Sequence, residues 1–345
     1  MDFFNLSDMG RRRWQVFCQN RRGYVSLWLF GLLLLASLGA NLLANDRPIL
    51  VRYGGEFYCP ALFSYAETRF GGEFQTEADY RDPTVQALIR EKGWMVWPPI
   101  RFSYDTINFG VQGTYPSPPT WENPLGTDNS GRDILARILY GFRLSVCFGL
   151  CLALFSSVTG VLVGAFLGYR GGWPDILGQR FMEIWGGMPV TYLLIILSSF
   201  MEPGFFILLG IMLLFSWMGL VDVVRAEFLR CRNLDYVLAA RVLGVGDRAI
   251  IFRHMLPNAL VATTTYLPFI VNGAIASLTS LDFLGLGLPA GSPSLGDLLA
   301  QGKAHLDAPW IGLSAFFVLA TQLTLLVFIG EGVRDAIDPH SEELS

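Results

Sequence analysis

A chain of 345 residues would ordinarily divide into about two water-soluble domains. Here 52% apolar, 14% aromatic and only 16% charged residues fall well below the roughly 25% charge of a soluble globule and exclude disorder as well. A formal net charge of −4 gives no electrostatic case for nucleic acid, so the composition points to an integral membrane protein with lipid against its outer faces.

Residues 1–23 carry Arg11, Arg12, Arg13, Arg21 and Arg22 and precede an apolar run at 24–44. That run is longer than the 7–15 residues of a signal-peptide core, so it is read as a retained first span. About 20 apolar residues cross the hydrocarbon core. Further spans are predicted at 144–169, 184–201, 205–221, 259–281 and 311–329, six in all. Gly160, Gly164 and Gly168 repeat every fourth residue in the second span, a small-residue stripe that allows close helix packing. Pro268 lies inside the fifth and is expected to bend it.

Short loops rich in Arg and Lys stay in the cytoplasm. The loop at 222–257 holds six arginines, which places it, the N-terminal segment and the tail at 336–345 inside. Polar and ionisable groups at membrane depth are functional candidates. Thr279, Ser280 and Asp282 at the outer end of the fifth span are therefore candidates for the translocation path, with helix capping or packing as the alternative reading. Glu183, Glu202 and Asp222 sit at other span ends.

Two connecting segments are too large to be simple loops. Residues 45–135 are rich in Gly, Pro and aromatics, and positions 46–135 hold twelve acids against eight bases. Strand-like stretches fall at 49–53 and 57–63. A helix is predicted at 84–92, with Asp82 as N-cap, Pro83 at its first position and Gly93 as C′. This insertion is read as a small ordered mixed subdomain on the outer side, partly packed on the membrane domain, with a floppy linker as the alternative reading.

The inner loop predicts helical pieces at 223–230, 234–243 and 247–255, broken at Gly244 and Gly246, with Asp247 as the last N-cap. Val237, Ala240 and Leu243 fall at helical spacing. A basic helix pair beneath the membrane is either an interfacial anchor or a docking surface. Ala239, Ala240 and Gly244 are small enough for a partner backbone to come close.

The stretch YVLAARVLG at 236–244, followed after nine residues by HMLP at 254–257, resembles the EAA loop of bacterial ABC-importer permeases. The spacing agrees throughout. Leu238 stands at the usual Glu and His254 at the usual Ile. The resemblance implies an ATPase-coupling loop carried by Asp235, Tyr236, Ala239, Ala240, Gly244, Asp247, His254, Leu256 and Pro257. NPLGTDNSGRD at 123–133 resembles the segment before the second span of dipeptide/oligopeptide/nickel importer permeases, and FLGLG at 283–287, SLG at 294–296 and APW at 308–310 resemble their outer loop between spans five and six. The large insertion, with NDRP at 45–48 and WPPIRF at 97–102, makes the chain most similar to permeases of microcin C/oligopeptide importers.

The resemblance implies an all-α polytopic fold with six transmembrane helices, the type I permease fold, carrying a small mixed periplasmic insertion within 45–135 and a permease core over 136–335. It implies a transport subunit rather than an enzyme, for oligopeptides or peptide antibiotics. No cofactor is expected on this chain, since ATP and Mg belong to the partner ATPase. The implied partners are a second homologous permease, an ATPase with two nucleotide-binding domains and a periplasmic substrate-binding protein. Two other classes compete. A secondary transporter would need a buried charge relay, and an intramembrane enzyme a nucleophile with its base. The sequence nominates neither, nor a metal site.

Overall fold

The structure, a computed structural model, describes residues 8–111, 113–200 and 204–337. Glu202, His340 and the tail from 338 on lie outside the described residues. The N-terminal segment contains a helix, α1 (Asp8–Gln19), which composition did not predict because it is basic rather than apolar. Its Phe17 is buried where Gly23 and Gly332 face each other. Asn20 then caps α2 (Arg21–Leu38), accepting from the Gly23 amide at 3.1 Å, and donates to Asp335 at 2.9 Å. A short turn, α3 (Ala40–Leu43), ends the first span.

The insertion is ordered around a three-stranded antiparallel sheet. Strands β1 (Leu50–Tyr53) and β2 (Glu56–Tyr58) form a hairpin. The expected second stretch at 57–63 is thus cut short after Tyr58. Helix α4 (Pro83–Lys92) forms as its signals predict, with the Asp82 carboxylate accepting from the Thr84 amide at 2.7 Å. The Thr84 hydroxyl also donates to Asp82, and this bond together with the amide bond holds the Asp82 carboxyl below its usual range.

Gly93 is not the left-handed cap expected of it. It has φ −176° and opens strand β3 (Gly93–Val96), which pairs with β1. A Cβ there would lie 1.7 Å from the Arg52 carbonyl oxygen, so close backbone approach is what requires glycine. Phe70 sits at the centre of the core, edge-on to Tyr53, Tyr58 and Tyr80 at centroid distances of 5.3–5.7 Å. Val51, Val85 and Ile89 complete this core, and burial pushes the Tyr80 hydroxyl pKa up.

The second span, α5 (Ile134–Arg170), has 37 residues and a length of about 55 Å. This exceeds the roughly 30 Å hydrocarbon core, so α5 projects beyond it. Next come α6 (Gly172–Gly186) and α7 (Val190–Ser198), bent by 55°. The continuous third span expected at 184–201 is therefore corrected. Its helix begins earlier, and Pro189, which lacks an amide donor, starts a new helix in another direction.

Helices α8 (Phe205–Ser216) and α9 (Met218–Cys231) run on as one apolar segment. The inner loop contains α10 (Asp235–Val242), the short α11 (Asp247–Ala249) and a π-helical turn, Ile250–Met255. Helix α12 (Leu256–Phe283) contains Pro268. Helices α13 (Leu295–Ala304) and α14 (Pro309–Ile337) close the bundle. Among the described residues, five helices are long and apolar enough to cross a membrane, or six if the bent pair counts as one span.

The glycine stripe packs as its spacing predicts. A Cβ at Gly160, Gly164 or Gly168 would fall within 2.9 Å of backbone or Cβ atoms of α9, at Leu220, Val221 and Arg225 among them. The stripe seats α9 directly on α5.

Candidate coupling site and transmembrane cavity

The loop at 222–257 is built on the C-terminal ends of α5 and α9 and the N-terminal end of α12. Val237 and Ala240 of α10 are buried against Val224, Phe228, Ile250, Met255 and Ala259. The opposite face, with Tyr236, Leu238, Ala239, Val242 and Leu243, is exposed. This sharpens one reading and corrects another. Leu243, which falls at helical spacing with Val237 and Ala240, is 81% exposed and does not share their buried face, because the helix ends at Val242 and the chain turns there. Ala240, expected on the partner face, supports the chain's own core, and Ala239 takes the outer position.

Gly244 has φ +75° and open space around it. Its handedness demands glycine, whereas packing does not. Asp247 is not a cap. Gly246 occupies that position, and the Asp247 carboxylate accepts instead from the Tyr169 hydroxyl of α5 at 2.5 Å. Arg241 lies over the Tyr169 ring at 5.4 Å. Tyr236 stands 6.3 Å from the His254 ring, and its hydroxyl accepts from the Asn258 amide at 3.0 Å. Asp235 sits in the first turn of α10, where a negative charge suits the helix dipole. Leu256 packs on the loop core, and Pro257 lies in the first turn of α12, where its missing N–H costs nothing. Arg225 of α9 grips Asp175 of α6 with two hydrogen bonds, one at 2.7 Å. The loop is thus anchored on three sides and bare on the fourth.

Farther up the bundle, a cavity of about 610 Å³ opens between α5, α7, α8 and α12. Gly273, Ser277 and Ser280 of α12 line it, with Thr191 of α7 and Ser216 of α8. Of the three residues expected together on the path, only Ser280 faces this space. Thr279 is buried, and its hydroxyl donates to the Ile275 carbonyl at 2.8 Å. Asp282 is buried on the other side of the helix. It accepts from the Leu288 amide at 2.7 Å and from the Ser294 hydroxyl. Gly287 and Gly296 press against it so closely that a Cβ on either would fall within 2.7 Å of an Asp282 atom. The FLGLG and SLG stretches therefore wrap a structural carboxylate.

The remaining motifs join the same end of the bundle, a convergence that sequence spacing did not reveal. Asp128 binds Arg132 at 2.9 Å and also binds Arg137, whose side chain is fully buried. Arg137 reaches Asp297 of α13 and the Ser292 carbonyl, at 2.8 and 3.0 Å. Asn108 donates to Asn123 at 2.7 Å, and Asn123 to Asp133 at 2.8 Å. Asp133 caps α5 through the Ala136 amide. Burial pushes its carboxyl above the usual range, against these hydrogen bonds. Trp310 lies over Gly126. Arg137 and Tyr169 are 32 positions apart on α5, or about 48 Å of helix. One rigid rod links this charged cluster to the inner loop.

A bundle of apolar helices around an intramembrane cavity, with a loop anchored beneath it, defines a polytopic membrane transport subunit. The chain belongs to the family described as the binding-protein-dependent transport system inner membrane component, whose model matches residues 160–342. It is 58% identical over 335 residues to the inner membrane ABC transporter permease protein YejE of Escherichia coli, covering 97% of this chain and 98% of that one. It is 54% identical over 358 residues to the peptidoglycan transport system permease protein YejE of Agrobacterium fabrum, covering 97% and 94%. The oligopeptide transport system permease protein OppC of Haemophilus influenzae is 36% identical over 239 residues, covering 69% and 76%. Membership makes the chain a multi-pass inner-membrane transport subunit that works with an ATPase and a substrate-binding protein.

Proposed function

We propose that the chain is one of two permease subunits of an ATP-driven importer of peptides, oligopeptides or peptide antibiotics such as microcin C, with both termini and the loop at 222–257 in the cytoplasm. The observation that carries this reading is the bare apolar face of α10 and its cap, Leu238, Val242 and Leu243, tied through Arg241 to Tyr169 of α5 and through Tyr236 to Asn258 of α12. Such a face suits a groove of the partner ATPase, which binds ATP and Mg. Asp235, Tyr236, Ala239, Gly244, Asp247, His254, Leu256 and Pro257 form or brace that contact, and Ala240 supports it from within. The oligopeptide transport name of the Haemophilus influenzae relative supports a peptide as substrate, and the peptidoglycan transport name of the Agrobacterium fabrum relative is compatible with one.

Closure of the ATPases would move α10. The tie to α5 and the tight α5–α9 seam would carry that motion to the cavity. Ser277, Ser280 and Gly273 form this subunit's wall of the path, and a second permease supplies the facing wall. The test is uptake of a labelled oligopeptide by vesicles holding the complex, the binding protein and enclosed ATP. Uptake that requires ATP supports the reading. Uptake by this chain alone, driven by an ion gradient, overturns it.

A further inference from the structure

The insertion contains a second cavity, of about 440 Å³, lined by Arg81, Gln86, Trp97, Arg101, Phe102 and Trp121, with Glu122 at the same wall. Its size is that of a small-ligand site, with room for a few residues of extended chain but none for a folded domain. The Arg81 guanidinium is laid over the Phe102 ring at 4.7 Å, and that of Arg101 over the Trp97 ring at 5.6 Å. Among the described residues, neither arginine has an ion-pair partner.

The cavity wall is held in place. The Gln86 amide donates to the Tyr80 carbonyl at 3.0 Å, and the Arg81 amide to the Asp79 carboxylate at 2.9 Å, fixing the turn that presents Arg81. Phe102 is buried and gives that guanidinium a rigid floor. Trp121, by contrast, is 103% exposed. A large apolar ring left wholly in water beside two unpaired cations is costly for a free surface and useful for a bound ligand.

We propose that this cleft binds the carboxylate end of a short peptide, held by Arg81 and Arg101 and covered by Trp121. The identity of the ligand as a peptide rests on the reading of the chain as a peptide-importer subunit. Two guanidiniums match a planar carboxylate. Glu122 halves the positive charge of the cleft, which then suits a single carboxylate better than a dianion such as phosphate, and its carboxylate accepts a peptide N–H. The aromatic walls stack on peptide planes and side chains.

The test is titration calorimetry on the assembled complex without binding protein, using the tripeptide Ala-Ala-Phe and its C-terminal amide as probes. Arg101→Gln and Trp121→Ala alter exposed side chains and leave the subdomain core intact. The acid is expected to bind at least about tenfold more tightly than the amide, and Arg101→Gln to remove that preference. Trp121→Ala should weaken both probes. Equal affinity for acid and amide, unchanged binding by Arg101→Gln, or no binding at millimolar peptide overturns the proposal. ATP-driven uptake of the same peptide is measured alongside. Uptake without carboxylate-selective binding sinks the cleft alone, whereas absent uptake with selective binding sinks the importer reading and leaves the carboxylate site standing.

Discussion

Replacing Arg137 by Met tests whether the charged cluster at the upper end of α5 holds the bundle together. The Arg137 side chain and its partner Asp128 are both fully buried. Removing one member of a buried pair costs about 3–5 kcal/mol, because the remaining charge is left without its counter-ion. Asp128 would not be orphaned here. It keeps Arg132 at 2.9 Å and the Ser130 and Arg132 amides at 2.8 and 2.9 Å. The lower end of the range, about 3 kcal/mol, is therefore expected. Asp297 is 42% exposed and also keeps Gln301, so Asp297→Asn should cost only about 1 kcal/mol.

For a chain of this size each kcal/mol moves the melting midpoint by roughly 1–2 °C. Fluorescence-detected thermal unfolding of the purified complex should then show Arg137→Met lowered by about 3–6 °C and Asp297→Asn by about 1–2 °C. An Arg137→Met midpoint equal to that of the wild type would refute the assignment of the cluster as a structural lock.

Other substitutions probe the seams and the path. Gly164→Ala would place a methyl 2.8 Å from the Val221 carbonyl oxygen, and the forced separation of α5 and α9 should cost about 1–3 kcal/mol, read as a lower melting midpoint. Gly93→Ala cannot fit 1.7 Å from the Arg52 carbonyl oxygen and should open the β1–β3 pairing. Faster proteolysis within the insertion, with the membrane helices still protected, is the expected readout. Ser280→Trp fills the cavity beside α12 and should reduce peptide uptake while assembly with the ATPase persists.

Signals that depend on local chemistry were legible in the sequence. Five of the spans follow from apolar length, whereas the third is broken at Pro189 and begins earlier than its apolar run. Helix α4 follows from Asp82-Pro83, and the α5–α9 seam from a glycine every fourth residue. Signals that depend on which side of an element faces the core were not. Ala239 and Ala240 are equivalent as letters, and only the packing of Val237 and Ala240 on Phe228 and Met255 separates them. Gly93 looks like a helix stop, but a strand 40 residues upstream in the chain fixes its conformation. Asp282 and Thr279 look like path residues because they are polar at a span end. Their partners, Ser294 and the Ile275 carbonyl, claim them first. No sequence spacing marks Arg137 as buried, because its partners are Asp128 and, 160 positions away, Asp297.

The central claim is that the bare face of α10 drives the bundle. Its most direct measurement is co-purification of the ATPase with a Leu243→Glu permease, compared with wild type at equal permease abundance. Leu243 is 81% exposed, so the chain itself should fold unchanged. The account predicts loss of the bound ATPase and of peptide-stimulated ATP hydrolysis. A Leu243→Glu complex that retains the ATPase and hydrolyses ATP like the wild type would contradict it.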